Sequence, residues 1–87
     1  MFLARIIGNV VATVKDPALV GKKILIVQPI DQHGKDLGAK ILALDSVGAG
    51  AGETVYCCRG REASLAWYPD EVPTETTIVA IVDKISV

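Results

Sequence analysis

The stretch of sequence that decides the fold is a glycine-rich segment between two apolar runs. It consists of Asp45-Ser46-Val47-Gly48-Ala49-Gly50-Ala51-Gly52-Glu53. Its small side chains let another stretch of backbone approach closely, and glycine adopts positive φ without steric cost. We therefore predict a tightly packed loop, in which a bulky replacement such as Gly50→Leu strains the backbone and impairs folding or assembly. We expect its two carboxylates to accept hydrogen bonds from amides of the loop.

Phosphate binding is the alternative function for this segment. A dinucleotide-binding loop has the spacing Gly-x-Gly-x-x-Gly and opens a helix. Here the spacing is Gly-x-Gly-x-Gly, and residues 54–59 have the composition of a strand. The Gly-Lys-Ser/Thr of a P-loop is absent, and the acidic flanks would repel an anion. The pattern therefore favours close backbone packing over phosphate binding.

Strand patterns lie on both sides of the loop. We predict strands over 3–14, 23–30, 39–44, 54–59 and 76–85, and a short helix over 61–66 that ends before Pro69, followed by a loop to Pro73. The second run is continuously apolar, as in a strand covered on both faces. Gly8 in the first run indicates a bend or bulge. Alternation along this run places on one face Ala4, Ile6, Gly8, Val10, Ala12 and Val14.

Five short strands and one helix in 87 residues predict an all-β fold with a single domain over 1–87. Closing the strands into a barrel removes exposed sheet edges. We expect a small closed five-stranded OB-like β-barrel. Hydrophobic residues make up 51% of the chain, which is more apolar surface than so small an interior can hide. Part of it is therefore expected to face other subunits.

The charge balance and the chain's other features exclude several classes of function. A net charge of −1 without basic runs is not the footprint of a nucleic-acid-binding protein. No apolar run is long enough to span a membrane, and the N-terminus lacks the features of a secretion signal. We expect a cytoplasmic protein with reduced cysteines.

Residues suited to catalysis or metal binding are few. His33 lies in a polar turn, and we expect it to be solvated rather than to act as a general base. Adjacent residues of a strand point to opposite faces, so the thiols of Cys57 and Cys58 are not expected to meet. We expect both to be small buried or half-buried residues. Trp67 and Tyr68 have acidic neighbours, which favours packing or a subunit contact over nucleic-acid stacking. We expect no catalytic residue, no cofactor and no metal site.

Three segments together resemble the EutN/CcmL family, the vertex proteins of bacterial microcompartment shells. They are the opening residues 4–15 and 19–27, the loop 45–53 and the closing strand 77–85. The resemblance implies a homopentamer of small β-barrels at the corners of a polyhedral shell, among hexameric shell proteins, with a structural rather than enzymatic role. The loop residues are then candidates for a subunit interface or a pore.

Two possibilities stay open at this point. The chain ends at Val87, soon after the last predicted strand, whereas carboxysomal members of the family often continue further; this favours a catabolic metabolosome. The alternative function is a free-standing OB-like module that binds nucleic acid or a small ligand.

Overall fold

The architecture is a closed β-barrel. A computed structural model describes residues 1–13, 15–68 and 74–86. These residues form five strands in the order β1-β2-β3-β5-β4, with β4 pairing back to β1. A short helix, α1 (Arg61–Leu65), follows β4. The strands are β1 (Phe2–Val10), β2 (Lys23–Ile30), β3 (Ile41–Asp45), β4 (Thr54–Arg59) and β5 (Thr76–Ile81). The prediction of a small five-stranded OB-like barrel with one short helix is confirmed.

Three strand boundaries differ from the predictions by two residues or more, because a strand extends only as far as it is paired with a neighbour. β1 ends at Val10, which pairs with Ile24 near the start of β2, rather than continuing toward residue 14. β5 ends at Ile81, which pairs with Val55 near the start of β4. β3 begins only at Ile41, the first residue with a partner in β2. Val14, Val87 and the predicted loop 69–73 lie outside the described residues.

The interior of the barrel is small and fully apolar. Its buried cluster takes residues from all five strands and one from the glycine loop: Ala4, Ile6, Leu25, Val27, Ala43, Ala49, Val55, Cys57 and Ile78. Alanine and cysteine supply much of this cluster, because a tightly curved barrel has little room inside. Phe2, Ile41 and Val47 pack against it while remaining partly exposed.

β1 contains the predicted irregularity at Gly8, and it changes which residues share a face. Ile6 pairs with the buried Val27, but Gly8 pairs with Ile26, so one extra residue is inserted between them. Such a bulge reverses the inward and outward alternation beyond it. The prediction that Gly8 and Val10 share the face of Ile6 is therefore wrong, and both lie on the outer face.

The outer face of β2 is covered at one end only. Beyond β2 the chain folds back across it, where Leu37 N donates to Pro29 O at 2.8 Å and Gln28 Nε2 donates to Gly38 O at 3.2 Å. Gln28 and Ile30 are buried by this segment. Ile24 and Ile26 at the other end stay partly exposed. The predicted cover on both faces is thus confirmed for half of the strand.

α1 packs on the outer face of β4 and β5. Its Ala63 is fully buried, and the Ala63 carbonyl accepts a hydrogen bond from Thr77 Oγ1 at 2.7 Å. The same hydroxyl accepts a hydrogen bond from Trp67 Nε1 at 3.2 Å. These two bonds fix the helix and the chain after it to β5.

Candidate functional site: the glycine loop

The glycine loop connects β3 to β4 and plugs one end of the barrel. Ala49, at its centre, is 1% exposed and belongs to the core cluster. The loop also extends the pairing of β1, because Ile6 N donates to Glu53 O at 3.0 Å and Gly52 N donates to Ile6 O at 2.9 Å. The close backbone approach predicted from the small residues therefore occurs within the chain.

Both carboxylates of the loop bind the loop's own amides. Asp45 Oδ1 accepts hydrogen bonds from Val47 N at 3.0 Å and Gly48 N at 3.1 Å. Glu53 Oε1 accepts one from Gly50 N at 2.6 Å. The prediction for Asp45 and Glu53 is confirmed. Three amides that a phosphate cradle would direct at its anion are thus already bound to carboxylates, which disfavours phosphate binding.

Ser46 anchors the start of the loop to β5. Its hydroxyl donates to Ile78 O at 2.6 Å. β3 and β5 pair in parallel over only two positions, Leu44 with Thr77 and Asp45 with Ile78. Ser46 N also donates to Ile78 O, at 3.4 Å. Ser46 therefore extends this short pairing of β3 with β5, and the loop helps to close the barrel.

The glycines of the loop differ in what they require. Gly48 and Gly52 have φ of 76° and 83°, a region that other residues enter only with strain. Gly50 does not have positive φ; a Cβ placed there would lie 3.4 Å from Glu53 Oε1. Backbone strain as the reason for damage by Gly50→Leu is therefore wrong, and it applies to Gly48 and Gly52 instead.

The outward side of the loop is open to solvent. Ser46, Gly48, Ala51 and Gly52 are exposed, while Val47 and Gly50 are partly buried. A shallow cleft separates this side from β1 and β2, lined in part by Gly8, Asn9 and Lys23. The loop thus presents mainly backbone and methyl groups, since the hydroxyl of Ser46 is bound to Ile78 O and both carboxylates are bound to amides.

The remaining candidates for chemistry lie apart from the loop. His33 is exposed in a turn where Asp31 Oδ1 accepts hydrogen bonds from His33 N and Lys35 N, and these bonds help hold the pKa of Asp31 below its usual value. Cys57 and Cys58 are both buried, as predicted, and burial raises the pKa of Cys57 to about 12. In the described part of the chain, no group of three or more metal-ligating side chains comes together.

The aromatic side chains form no common platform. Trp67 is half-buried, with the Lys22 ammonium 5.1 Å from its ring centre, while Tyr68 is 82% exposed. Phe2 instead packs against the barrel core, under the Arg59 guanidinium at 4.5 Å. Stacking of successive bases needs aromatic rings along one groove. This arrangement does not favour nucleic-acid binding.

Sequence reasoning missed an apolar strip on the outer face of β1, β2 and β3. Gly8 pairs with Ile26, and Ile26 pairs with Leu42, which is 57% exposed. The sequence signal was Gly8 itself, but only the bulge and the pairing register show that it faces outward.

No helix formed by residues 1–13, 15–68 and 74–86 is long and apolar enough to cross a membrane.

The fold and the loop define the class of protein: a small closed β-barrel whose end is plugged by a glycine-rich connection. The family model described as "Ethanolamine utilisation protein EutN/carboxysome" matches residues 1–83. The chain therefore belongs to the EutN/CcmL family, as its sequence resemblance indicated.

Individual relatives agree with this assignment. The carboxysome shell vertex protein CcmL of Synechococcus elongatus is 39% identical over 87 residues, covering 100% of this chain and 88% of the relative. The bacterial microcompartment shell vertex protein PduN of Salmonella typhimurium is 38% identical over 90 residues, covering 99% of each chain. Among solved structures, the GrpN pentameric microcompartment shell protein from Rhodospirillum rubrum superposes with a TM-score of 0.89 at 32% identity, covering 100% of both chains.

Proposed function

We propose that this chain forms a closed homopentamer that caps the vertices of a bacterial microcompartment shell in the cytoplasm. The observation that carries the proposal is the family match over residues 1–83, together with relatives named as shell vertex proteins and as a pentameric shell protein. Its role is structural rather than enzymatic. The proposed partners are hexameric shell proteins. Subunits that tile a plane with six-fold symmetry enclose a volume only when five-fold units replace some of them.

The surface of the chain supports assembly. Its accessible area is 5599 Å², whereas a compact monomer of this mass would expose about 4,900 Å². Several large apolar side chains are exposed, Leu42, Leu65 and Tyr68 among them. Burial of such side chains against other subunits would remove apolar area from water, which is the main driving force of association. A ring uses head-to-tail contacts that close after a fixed number of subunits.

We further propose that the exposed side of the glycine loop, with Gly48, Ala51 and Gly52, lines a subunit contact or the central opening of the ring. Its backbone and methyl groups allow five copies to approach one axis closely. Residues 1–87 act in this proposal as one structural unit. The catabolic metabolosome stays the predicted shell type. Sequence identity does not distinguish the types, since the carboxysome relative is 39% identical to the chain and the PduN relative is 38% identical.

Native mass spectrometry of the purified protein tests the subunit number. A spectrum dominated by the five-subunit mass is expected at micromolar concentration. A spectrum dominated by monomer or dimer would contradict the proposal and would favour a free-standing binding module.

Electron microscopy of a deletion strain tests the role in the shell. Without the vertex units, shells should be elongated or open, while the enclosed enzymes and hexameric shell proteins are still made. Proteomics of shells purified from the complemented strain identifies the enclosed pathway. Closed polyhedra of normal shape in a deletion strain that makes no second vertex protein would refute the assignment.

A further inference from the structure

The outer face of the barrel has an apolar strip across three paired strands. Gly8, Ile26 and Leu42 occupy one row of the register, and Val10 and Ile24 lie beside each other in the next. None of these five residues is charged, and all are partly or fully exposed. We call them the β2 strip. Single apolar residues on a surface are ordinary, but a contiguous strip indicates a contact site.

Gly8 gives the strip a dent that the fold itself does not require. Its φ lies outside the positive region, so a side chain would not strain the backbone, and the bulge beside it is not of the kind that needs a left-handed glycine. A Cβ placed on Gly8 would meet only Ile26 Cδ1 within 4 Å, at an ordinary 3.7 Å. A glycine inside a strand often marks either a bulge or a place where another backbone approaches closely. Since the bulge here does not depend on glycine, we take Gly8 as a site of close approach.

A second apolar surface lies on the opposite side of the barrel. α1 packs on β4 and β5, which are the two strands that the β2 strip does not use. From this side project Leu65, 64% exposed, and Tyr68, 82% exposed. We call these two residues the helix surface. Tyrosine and leucine side chains of this kind are suited to fill a dent in an apolar face.

We propose that the β2 strip of one subunit receives the helix surface of the next copy of this chain, with the dent at Gly8 admitting the incoming side chains. The inference rests on the proposed ring. Two different surfaces on opposite sides of one subunit are what a head-to-tail contact requires, since a two-fold contact would instead place the same surface on both partners. The chain exposes about 700 Å² more than a compact monomer of its mass, close to the roughly 800 Å² that one partner buries in a single standard interface, and each subunit of a ring makes two such contacts.

Thiol cross-linking tests which surfaces meet. We would compare the variants Leu42→Cys, Tyr68→Cys and the double variant, each treated with a short bis-maleimide and run under denaturing conditions. Cys57 and Cys58 are buried, so these native cysteines should react little with the bis-maleimide. The wild-type chain, treated in the same way, measures the background cross-linking that they cause. The double variant should give a ladder of covalent species up to the full ring, and each single variant should remain at the monomer mass.

A mixture of the two single variants should give dimers and no longer species. Dimers formed by Leu42→Cys alone would show a two-fold contact and overturn the proposal. Absence of cross-links in the double variant, in a preparation shown by native mass spectrometry to be a pentamer, would also overturn it. A wild-type chain that is monomeric would refute the proposed ring and the inference together, so the two failures are distinguishable.

Charge substitutions provide a second, independent test. Leu42→Lys should raise the concentration at which the ring dissociates by about tenfold or more, since one buried leucine contact is lost and a charge is desolvated. Leu37→Lys is the matched control, because Leu37 is 49% exposed on the folded-back segment outside the strip. Gly8→Leu should have the effect of Leu42→Lys while circular dichroism stays that of the wild-type barrel. Equal dissociation for Leu42→Lys and Leu37→Lys would count against the β2 strip.

Discussion

Replacing Gly52 by alanine tests how much the glycine loop depends on its backbone conformation. Gly52 has φ of 83°, and no atom lies within 4 Å of the position that an added Cβ would take. The methyl group therefore meets no steric obstacle, and the cost comes from the left-handed conformation alone, about 1–2 kcal/mol. Relaxing φ to avoid this cost would break the bond from Gly52 N to Ile6 O, which joins the loop to β1.

Two further glycines serve as controls. Gly34 has φ of 81° and equally open surroundings in an exposed turn, so Gly34→Ala should cost the same amount. Gly50 lacks positive φ, and its added Cβ would only press on Glu53 Oε1 at 3.4 Å. Gly50→Ala should therefore change the unfolding free energy by less than about 0.5 kcal/mol in either direction, because the smaller entropy of the unfolded chain offsets the contact.

Urea unfolding measures these differences at one fixed protein concentration, since the apparent stability of an assembly depends on concentration. In a thermal scan, each 1 kcal/mol lowers the Tm of a domain of this size by about 4–8 °C. A loss for Gly50→Ala equal to that of Gly52→Ala would refute the conformational argument. A loss for Gly52→Ala well above that of Gly34→Ala, present only in the assembled protein, would measure a subunit contact made by the loop.

Two further predictions concern buried groups of β4 and β5. Thr77→Val removes a hydroxyl that donates to Ala63 O and accepts from Trp67 Nε1, so it should cost about 1–3 kcal/mol in urea unfolding and loosen α1. Trp67→Phe, which removes only one of these bonds, should cost less, and equal costs would contradict this account. The second prediction follows from the raised pKa of Cys57, from 9.0 to about 12. Between these pH values the unfolded chain loses the thiol proton and the folded chain keeps it, so stability should fall by up to about 1.4 kcal/mol per pH unit. Cys57→Ala should show a shallower decline above pH 9, and an unchanged slope would show that Cys57 does not contribute to it.

Local sequence patterns determined the strands and the family. β-branched and apolar runs between turn residues placed all five strands, since pleated, half-buried surfaces select such residues. The helix was predicted over 61–66 and is observed at Arg61–Leu65. The unusual composition of 45–53 also fixed the loop's internal chemistry, because Asp45 and Glu53 reach amides only two or three residues away. Such short-range bonds depend on spacing along the chain and on little else.

The tertiary structure alone decided which loop glycine is strained and which face of β1 looks outward. The φ of Gly50 depends on how the loop crosses the end of the barrel and places Ala49 in the core, which spacing along the chain does not reveal. The outward position of Gly8 depends on a bulge whose register is set by pairing with Ile26 of β2, eighteen residues further along the chain. A shift of one residue reverses every side chain beyond it. The β2 strip therefore exists only through pairing between strands, while the loop's hydrogen bonds to its own amides were already present in the order of its residues.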